Sequence, residues 1–93
     1  MITGVLVMDL FLPESQPSKS KRSIIRPLME GIRGKWNTSV AETGFQDSWQ
    51  RARICVATVS GRETMVRETL DAVLRHARER SDLHVTESSL ETY

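Results

Sequence analysis

Basic side chains cluster in one stretch of the sequence, where they could contact phosphate groups. Between residues 19 and 35 a single acid, Glu30, stands among the cations Lys19, Lys21, Arg22, Arg26, Arg33 and Lys35. The first of these lie near the predicted start of a helix, where the dipole is already positive and each exposed cation costs about 0.3–1 kcal/mol. An anion bound there would relieve the conflict, because free backbone amides and cations would hold it together.

This pattern predicts a contact with nucleic-acid phosphates. The residues predicted to make it are Lys19, Lys21, Arg22 and Arg26. The alternative is a solvated face whose charge is neutralised by acids such as Glu14 or those near the C-terminus.

A second polar group lies in a predicted turn. Gln46, Asp47, Gln50 and Arg51 stand near Glu42, and together they could form a hydrogen-bonded network that fixes the turn. Catalysis would need a nucleophile or a base of matched pKa beside them, and the sequence offers none nearby. We therefore expect a structural or partner-contacting turn and a protein that is not an enzyme.

Trp49 lies in the same turn, where it could be an interface anchor, fold back onto the core or stack on a base. With it, the residues predicted to contact a partner are Gln46, Asp47, Trp49 and Arg51. Cys55 lies within a predicted strand, and a small buried thiol is the default interpretation. His76 and His84 have no second ligand at a suitable spacing, so we expect no metal and no cofactor.

Composition bounds the class of protein. The chain has 93 residues, which suits one domain over residues 1–93, and its 13 Lys and Arg nearly balance 12 Asp and Glu. That balance argues against a polycationic binder that acts by bulk charge. A single cysteine fits a reducing compartment, and no apolar run is long enough to cross a membrane. We expect a soluble cytoplasmic protein.

Hydrophobic periodicity predicts the elements that position these residues. Strands are predicted over 2–12, 38–43, 51–59 and 83–90, with helices from residue 18 or 20 to 36 and from a capping box at Ser60 and Glu63 to residue 80. The order βαββαβ predicts an α+β, ferredoxin-like fold, with a four-stranded antiparallel sheet and two helices on one face. The first and third strands are apolar on both faces. We therefore expect a second copy of the chain to cover the open face, the alternative being a tolerated apolar surface.

The residues also resemble a known family. Lys19-Ser-Lys-Arg22, Val40-Ala-Glu42 and above all Gln46-Asp-Ser-Trp-Gln-Arg-Ala52 are similar to the YlxP-like bacterial proteins, a family of small domains of unknown function. The resemblance runs from Gly4 to Leu90. Two positions depart from the family pattern: Pro17-Ser18 replaces Ser-Leu, and Phe45 stands where histidine is common. The resemblance implies a ferredoxin-like fold and, because the genes often neighbour those for translation, a role near ribosomes or RNA.

Two functions therefore follow as expectations. The first is a non-enzymatic domain that associates with ribosomes or structured RNA through its basic first helix. The alternative is a protein–protein interaction or small-ligand regulatory module that acts as a homodimer. The third strand has no aromatic residue, so base stacking on the sheet face is not expected.

Overall fold

In residues 1–15 and 20–93, which a computed structural model describes, the chain forms a four-stranded antiparallel sheet and two helices. The elements are β1 (Ile2–Phe11), α1 (Ser20–Lys35), β2 (Ser39–Gly44), β3 (Arg51–Ser60), α2 (Glu63–Arg78) and β4 (His84–Thr92). The strands lie in the order β2-β3-β1-β4, so the first and third strands are the central pair. The predicted ferredoxin-like fold is confirmed.

The core lies between the sheet and the helices because both contribute one apolar side. Alternate residues of β1 and β3 point inward, and the helices bury residues three or four positions apart. The fully buried side chains include Leu6, Met8, Leu10, Leu28, Ile32, Ile54, Val56, Leu70 and Val73. Burying one such side chain contributes about 1.5–3 kcal/mol.

Gly4 lets α2 approach the sheet closely. A Cβ atom at this position would meet Val66 Cγ1 and lie 2.9 Å from Leu70 Cδ1. Both of these side chains are buried, and Val66 is β-branched and stiff in a helix. The space that a side chain at Gly4 would need is therefore already filled by the helix.

The opposite face of the sheet carries no helix among the described residues, and it mixes apolar and charged groups. Val5, Val7 and Ala57 are half-buried there, whereas Val59 is 58% exposed. Asp9, on the same face, is only 7% exposed. No helix in the described part of the chain is long and apolar enough to cross a membrane.

The capping box predicted at Ser60 and Glu63 is wrong. β3 continues through Ser60, and α2 begins only at Glu63, so the N-cap residue is Arg62, which makes no side-chain cap. The Ser60 hydroxyl instead accepts a hydrogen bond from the Arg62 backbone N–H at 3.3 Å. The helix also ends at Arg78, two residues before the predicted end. Of the two starts predicted for the first helix, residue 20 agrees with α1, and residue 18 lies outside the described residues.

Candidate functional site

A groove of about 610 Å³ runs between α1 and the edge strand β2. Ile25 and Met29 supply its apolar part, with Ile25 buried and Met29 half-buried. The polar side chains that line it are Lys21, Arg22, Arg26, Glu30, Arg33, Glu42 and Gln46. The groove thus joins the basic cluster of the sequence to one side of the polar turn.

Lys21 closes one part of the groove and is held by internal contacts. Its Nζ atom lies 2.9 Å from Glu42 Oε2 and donates to the backbone carbonyls of Phe45 and Ser48, each at 2.8 Å. Its side chain is only 16% exposed. Two of the three ammonium protons go to these carbonyls, and Glu42 is held as an ion pair, since its buried Oε2 atom accepts no hydrogen bond. Lys21 therefore ties the first turn of α1 to the β2–β3 loop, and its charge is balanced by Glu42, not by Glu14 or the C-terminal acids.

Arg22 and Arg26 are exposed cations of α1 at the groove. Arg22 is exposed and makes no hydrogen bond or ion pair with another described side chain. Arg26 is 70% exposed and pairs with Glu30 at 3.0 Å, one helical turn away. Exposed pairs of this kind contribute only about 0.3–0.5 kcal/mol. An incoming anion could therefore take over the Arg26 guanidinium at little cost.

Arg33 lines the same groove farther along α1. Its Nη2 donates to the backbone carbonyl of Val40 in β2 at 2.7 Å. A guanidinium has five N–H donors, so this single bond leaves others directed toward solvent. Lys35 follows at the end of the helix, where its Nζ atom lies 5.1 Å from the centre of the Trp36 ring. Lys19, the remaining cation of the predicted site, lies outside the described residues.

The polar turn is held mainly by backbone groups and the Ser48 hydroxyl, and only in part by the side chains of the predicted network. Phe45 has a backbone φ of 57°, in the left-handed region, and its carbonyl accepts from the Ser48 N–H at 2.9 Å. The Ser48 hydroxyl then accepts from the Arg51 N–H at 3.1 Å. The Gln46 side chain donates to the backbone carbonyl of Glu42, in the edge strand β2, at 3.3 Å. Asp47 is exposed beside them.

Arg51 forms no ion pair with Glu42 or Asp47, the acids of the predicted network. Its guanidinium lies over the Phe45 ring, 4.3 Å from the centroid, and the Arg53 guanidinium lies 5.1 Å from the same ring. Glu42 instead forms its ion pair with Lys21 of α1. The Phe45 ring thus serves as a platform for two guanidinium groups.

Trp49 is 43% exposed, so it does not fold fully onto the core. Trp36 is half-buried and meets the His76 ring edge-on, with centroids 5.3 Å apart. Cys55 lies half-buried on the open sheet face, with its Sγ atom 3.1 Å from Thr43 Oγ1. The buried thiol expected from the sequence is therefore only partly buried.

The ion pair between Asp9 and Arg53 was not predicted from the sequence. Arg53 holds both oxygens of Asp9, with Nε at 2.7 Å and Nη2 at 3.0 Å. The hydrogen bonds from Arg53 lower the pKa of the Asp9 carboxyl below its usual range, and the same contact raises the pKa of the guanidinium. The sequence signal for this pair is weak: Asp9 is the only acid within β1, and Arg53 is a basic residue of β3.

Among the residues that the structure describes, no three His, Cys, Asp or Glu side chains come together as metal ligands.

Two comparisons with known proteins bear on the chain. Residues 3–90 match the family described as "Protein of unknown function (DUF503)". The chain is also 34% identical over 71 residues to the uncharacterized protein YlxP of Bacillus subtilis, and the alignment covers 76% of this chain and 77% of that protein. The resemblance inferred from the motifs at residues 19–22, 40–42 and 46–52 is confirmed.

Proposed function

The chain belongs to the DUF503 family of proteins of unknown function, and we propose that it binds structured RNA on ribosomes in the cytoplasm, as a non-enzymatic domain. The observation that supports this proposal is the groove between α1 and β2, with Arg22, Arg26 and Arg33 along it. Their guanidinium groups suit phosphates, since each can make two parallel hydrogen bonds to phosphate oxygens. The binding is local, because the net charge of the chain is only +1.

The contacts within the groove divide the predicted RNA-binding residues by role. Arg22 and Arg26 are exposed and are the proposed phosphate contacts, together with Arg33. Lys21 acts as a positioning residue, because its ammonium group is already occupied by Glu42 and two carbonyls. Lys19 remains a predicted contact from the sequence.

The test measures the affinity for ribosomal subunits and for ribosomal RNA fragments across a salt series. Each phosphate contact removed should lower the slope of log affinity against log salt by about 0.7–0.9. We therefore expect Arg22→Gln and Arg26→Gln each to reduce the slope by nearly one, and the double variant by nearly two. Arg75→Gln and Arg78→Gln on α2 are matched controls, since both arginines are exposed helical cations away from the groove.

The result that would overturn the proposal is an unchanged slope in the groove variants, or an equal loss in the α2 controls. The absence of co-sedimentation with ribosomal subunits at low salt would overturn it as well. Circular dichroism of each variant keeps a folding defect from being read as lost binding.

A second function is supported by the open sheet face. Val59 is 58% exposed there, beside the half-buried Val5, Val7 and Ala57, which is an apolar surface that a second copy of the chain would cover. We propose that a homodimer formed through this face acts as an interaction module. Sedimentation equilibrium tests it: a dimer that Val59→Asp dissociates supports the proposal, whereas a wild-type monomer contradicts it. Met65→Asp, at an exposed position of α2, is the control.

A further inference from the structure

The alternation of hydrogen bonds along the sheet determines which backbone groups of β4 point away from β1. Thr3 and Tyr93 exchange two backbone hydrogen bonds, at 3.0 and 2.7 Å. In an antiparallel ladder, bonded and non-bonded pairs alternate. Following the register of β1 and β4 from that pair, the N–H and C=O groups of Ser88, Leu90 and Thr92 point away from β1, toward the outer edge of the sheet.

The other edge of the sheet is closed to an incoming strand. On β2 the outward carbonyls belong to Val40 and Glu42, because each of these residues faces a β3 residue that bonds β1. Arg33 donates to the Val40 carbonyl at 2.7 Å, and Gln46 donates to the Glu42 carbonyl at 3.3 Å. Side chains from α1 and from the turn thus occupy the places that an added strand would need.

The β4 edge has no such cover. Among the described residues, no side chain donates to the outward carbonyls of β4, and residues 86 to 89 are exposed. The two charged side chains of β4 are both acidic, Glu87 and Glu91, and both lie on the open-face side of the strand. Opposite charges directly across two strands stabilise a pair, and like charges destabilise it. The edge therefore favours an incoming strand with cations at alternate positions.

We propose that β4 accepts an extended segment of a partner protein as a fifth strand, with Lys or Arg at alternate positions beside Glu87 and Glu91. Main-chain hydrogen bonds to Ser88, Leu90 and Thr92 would hold it, and the acids would select its sequence. A second copy of β4 is the less favourable occupant, since it brings its own acids to this edge. This proposal goes beyond RNA binding and does not depend on it.

The test uses two synthetic peptides, one that alternates lysine with threonine and one that alternates glutamate with threonine. Amide hydrogen exchange is measured by NMR with each peptide in excess. With the lysine peptide we expect exchange to slow about tenfold at Ser88, Leu90 and Thr92, because each amide gains a strand hydrogen bond. The amides of Ser89 and Glu91, already bonded to β1, should not change. This alternation is specific to strand addition.

Two variants separate the backbone from the charges. Ser88→Pro removes one outward N–H and leaves the β1 pairing intact, since proline is tolerated where the N–H of an edge strand faces solvent. We expect it to weaken binding of the lysine peptide, while Ser88→Ala, which keeps the N–H, binds as the wild type does. If Ser88→Pro does not fold, the Glu87→Lys/Glu91→Lys variant still tests the proposal. It should lose about tenfold in affinity for the lysine peptide and gain affinity for the glutamate peptide.

Three outcomes would overturn the proposal. The first is equal binding of both peptides, and the second is protection that does not alternate along β4. The third is protection of the same amides in the protein alone as its concentration rises, which would identify a second copy as the occupant. None of these outcomes bears on the salt slope of RNA binding.

Discussion

Replacing Lys21 with methionine separates its structural role from a role in binding phosphate. The change keeps most of the apolar stem and removes the ammonium group. It breaks the contact with Glu42 and the hydrogen bonds to the Phe45 and Ser48 carbonyls. The first turn of α1 then loses its connection to the β2–β3 loop.

The expected cost follows from the burial of these partners. A hydrogen bond to a charged group contributes about 1.5–3 kcal/mol, and removing one partner leaves the other with its desolvation penalty. The Glu42 side chain is 26% exposed but the Oε2 atom that faces Lys21 is buried, so water rehydrates the carboxylate only in part. We therefore expect Lys21→Met to lower the free energy of unfolding by about 2–3 kcal/mol. In a domain of this size such a loss lowers Tm by roughly 10–20 °C.

Urea unfolding followed by circular dichroism measures this loss, since urea leaves ion pairs unscreened. Arg22→Met is the control, because it is an exposed neighbour on the same helical turn, and it should change stability by less than about 0.5 kcal/mol. Equal stability of the two variants would refute the structural role of Lys21. If Lys21→Met is as stable as the wild type but shows a reduced salt slope of RNA binding, Lys21 contacts phosphate directly.

Three further predictions concern other parts of the fold. Gly4→Ala should lower the free energy of unfolding by about 1–3 kcal/mol, because its Cβ meets Val66 and Leu70. In urea unfolding, the double variant Gly4→Ala/Val66→Ala should be more stable than the sum of the two single losses predicts. Strictly additive losses would contradict the clash. Because Arg53 lowers the pKa of folded Asp9, the stability this pair contributes is present above the unfolded pKa near 3.8 and is lost as pH falls through the folded value. The stability difference between wild type and Asp9→Asn should therefore shrink in acid, and a difference that is constant from pH 7 to pH 3 would be inconsistent with the pair. Trp49→Ala should lower the free energy of urea unfolding by less than about 1 kcal/mol, since Trp49 is 43% exposed. It should leave the salt slope of RNA binding unchanged, because Trp49 lies outside the groove. A larger loss of stability would show that Trp49 packs as a core residue.

The fold was predictable because its information is local. Alternation in β1 and β3 and the apolar stripe of α2 follow from neighbouring residues, and the order of elements then restricts the topology. The capping box failed for a related reason: Ser60 continues a ladder with Ile2, and this strand pairing outweighs the local preference of a serine to begin a helix.

The site was less predictable because its contacts join residues distant in the sequence. Lys21 finds Glu42 across the space between α1 and β2, and Asp9 finds Arg53 across the sheet. The sequence places these charges near the correct elements but does not assign their partners. Phe45 is a further example, since its platform for Arg51 depends on a left-handed backbone that its residue type does not favour.

The central position of β1 determines when during synthesis its strand partners become available. Leu6 lies opposite Val56 on one side and Leu90 on the other, so its strand pairs with segments synthesised much later. Pairing strands so far apart in the sequence slows folding relative to local contacts, because the loops between them must close first. β1, a strongly apolar strand, is therefore synthesised before either of its neighbours exists. Until β3 and β4 follow, both of its edges are open to incorrect pairing, and this interval is when the chain is most prone to aggregate.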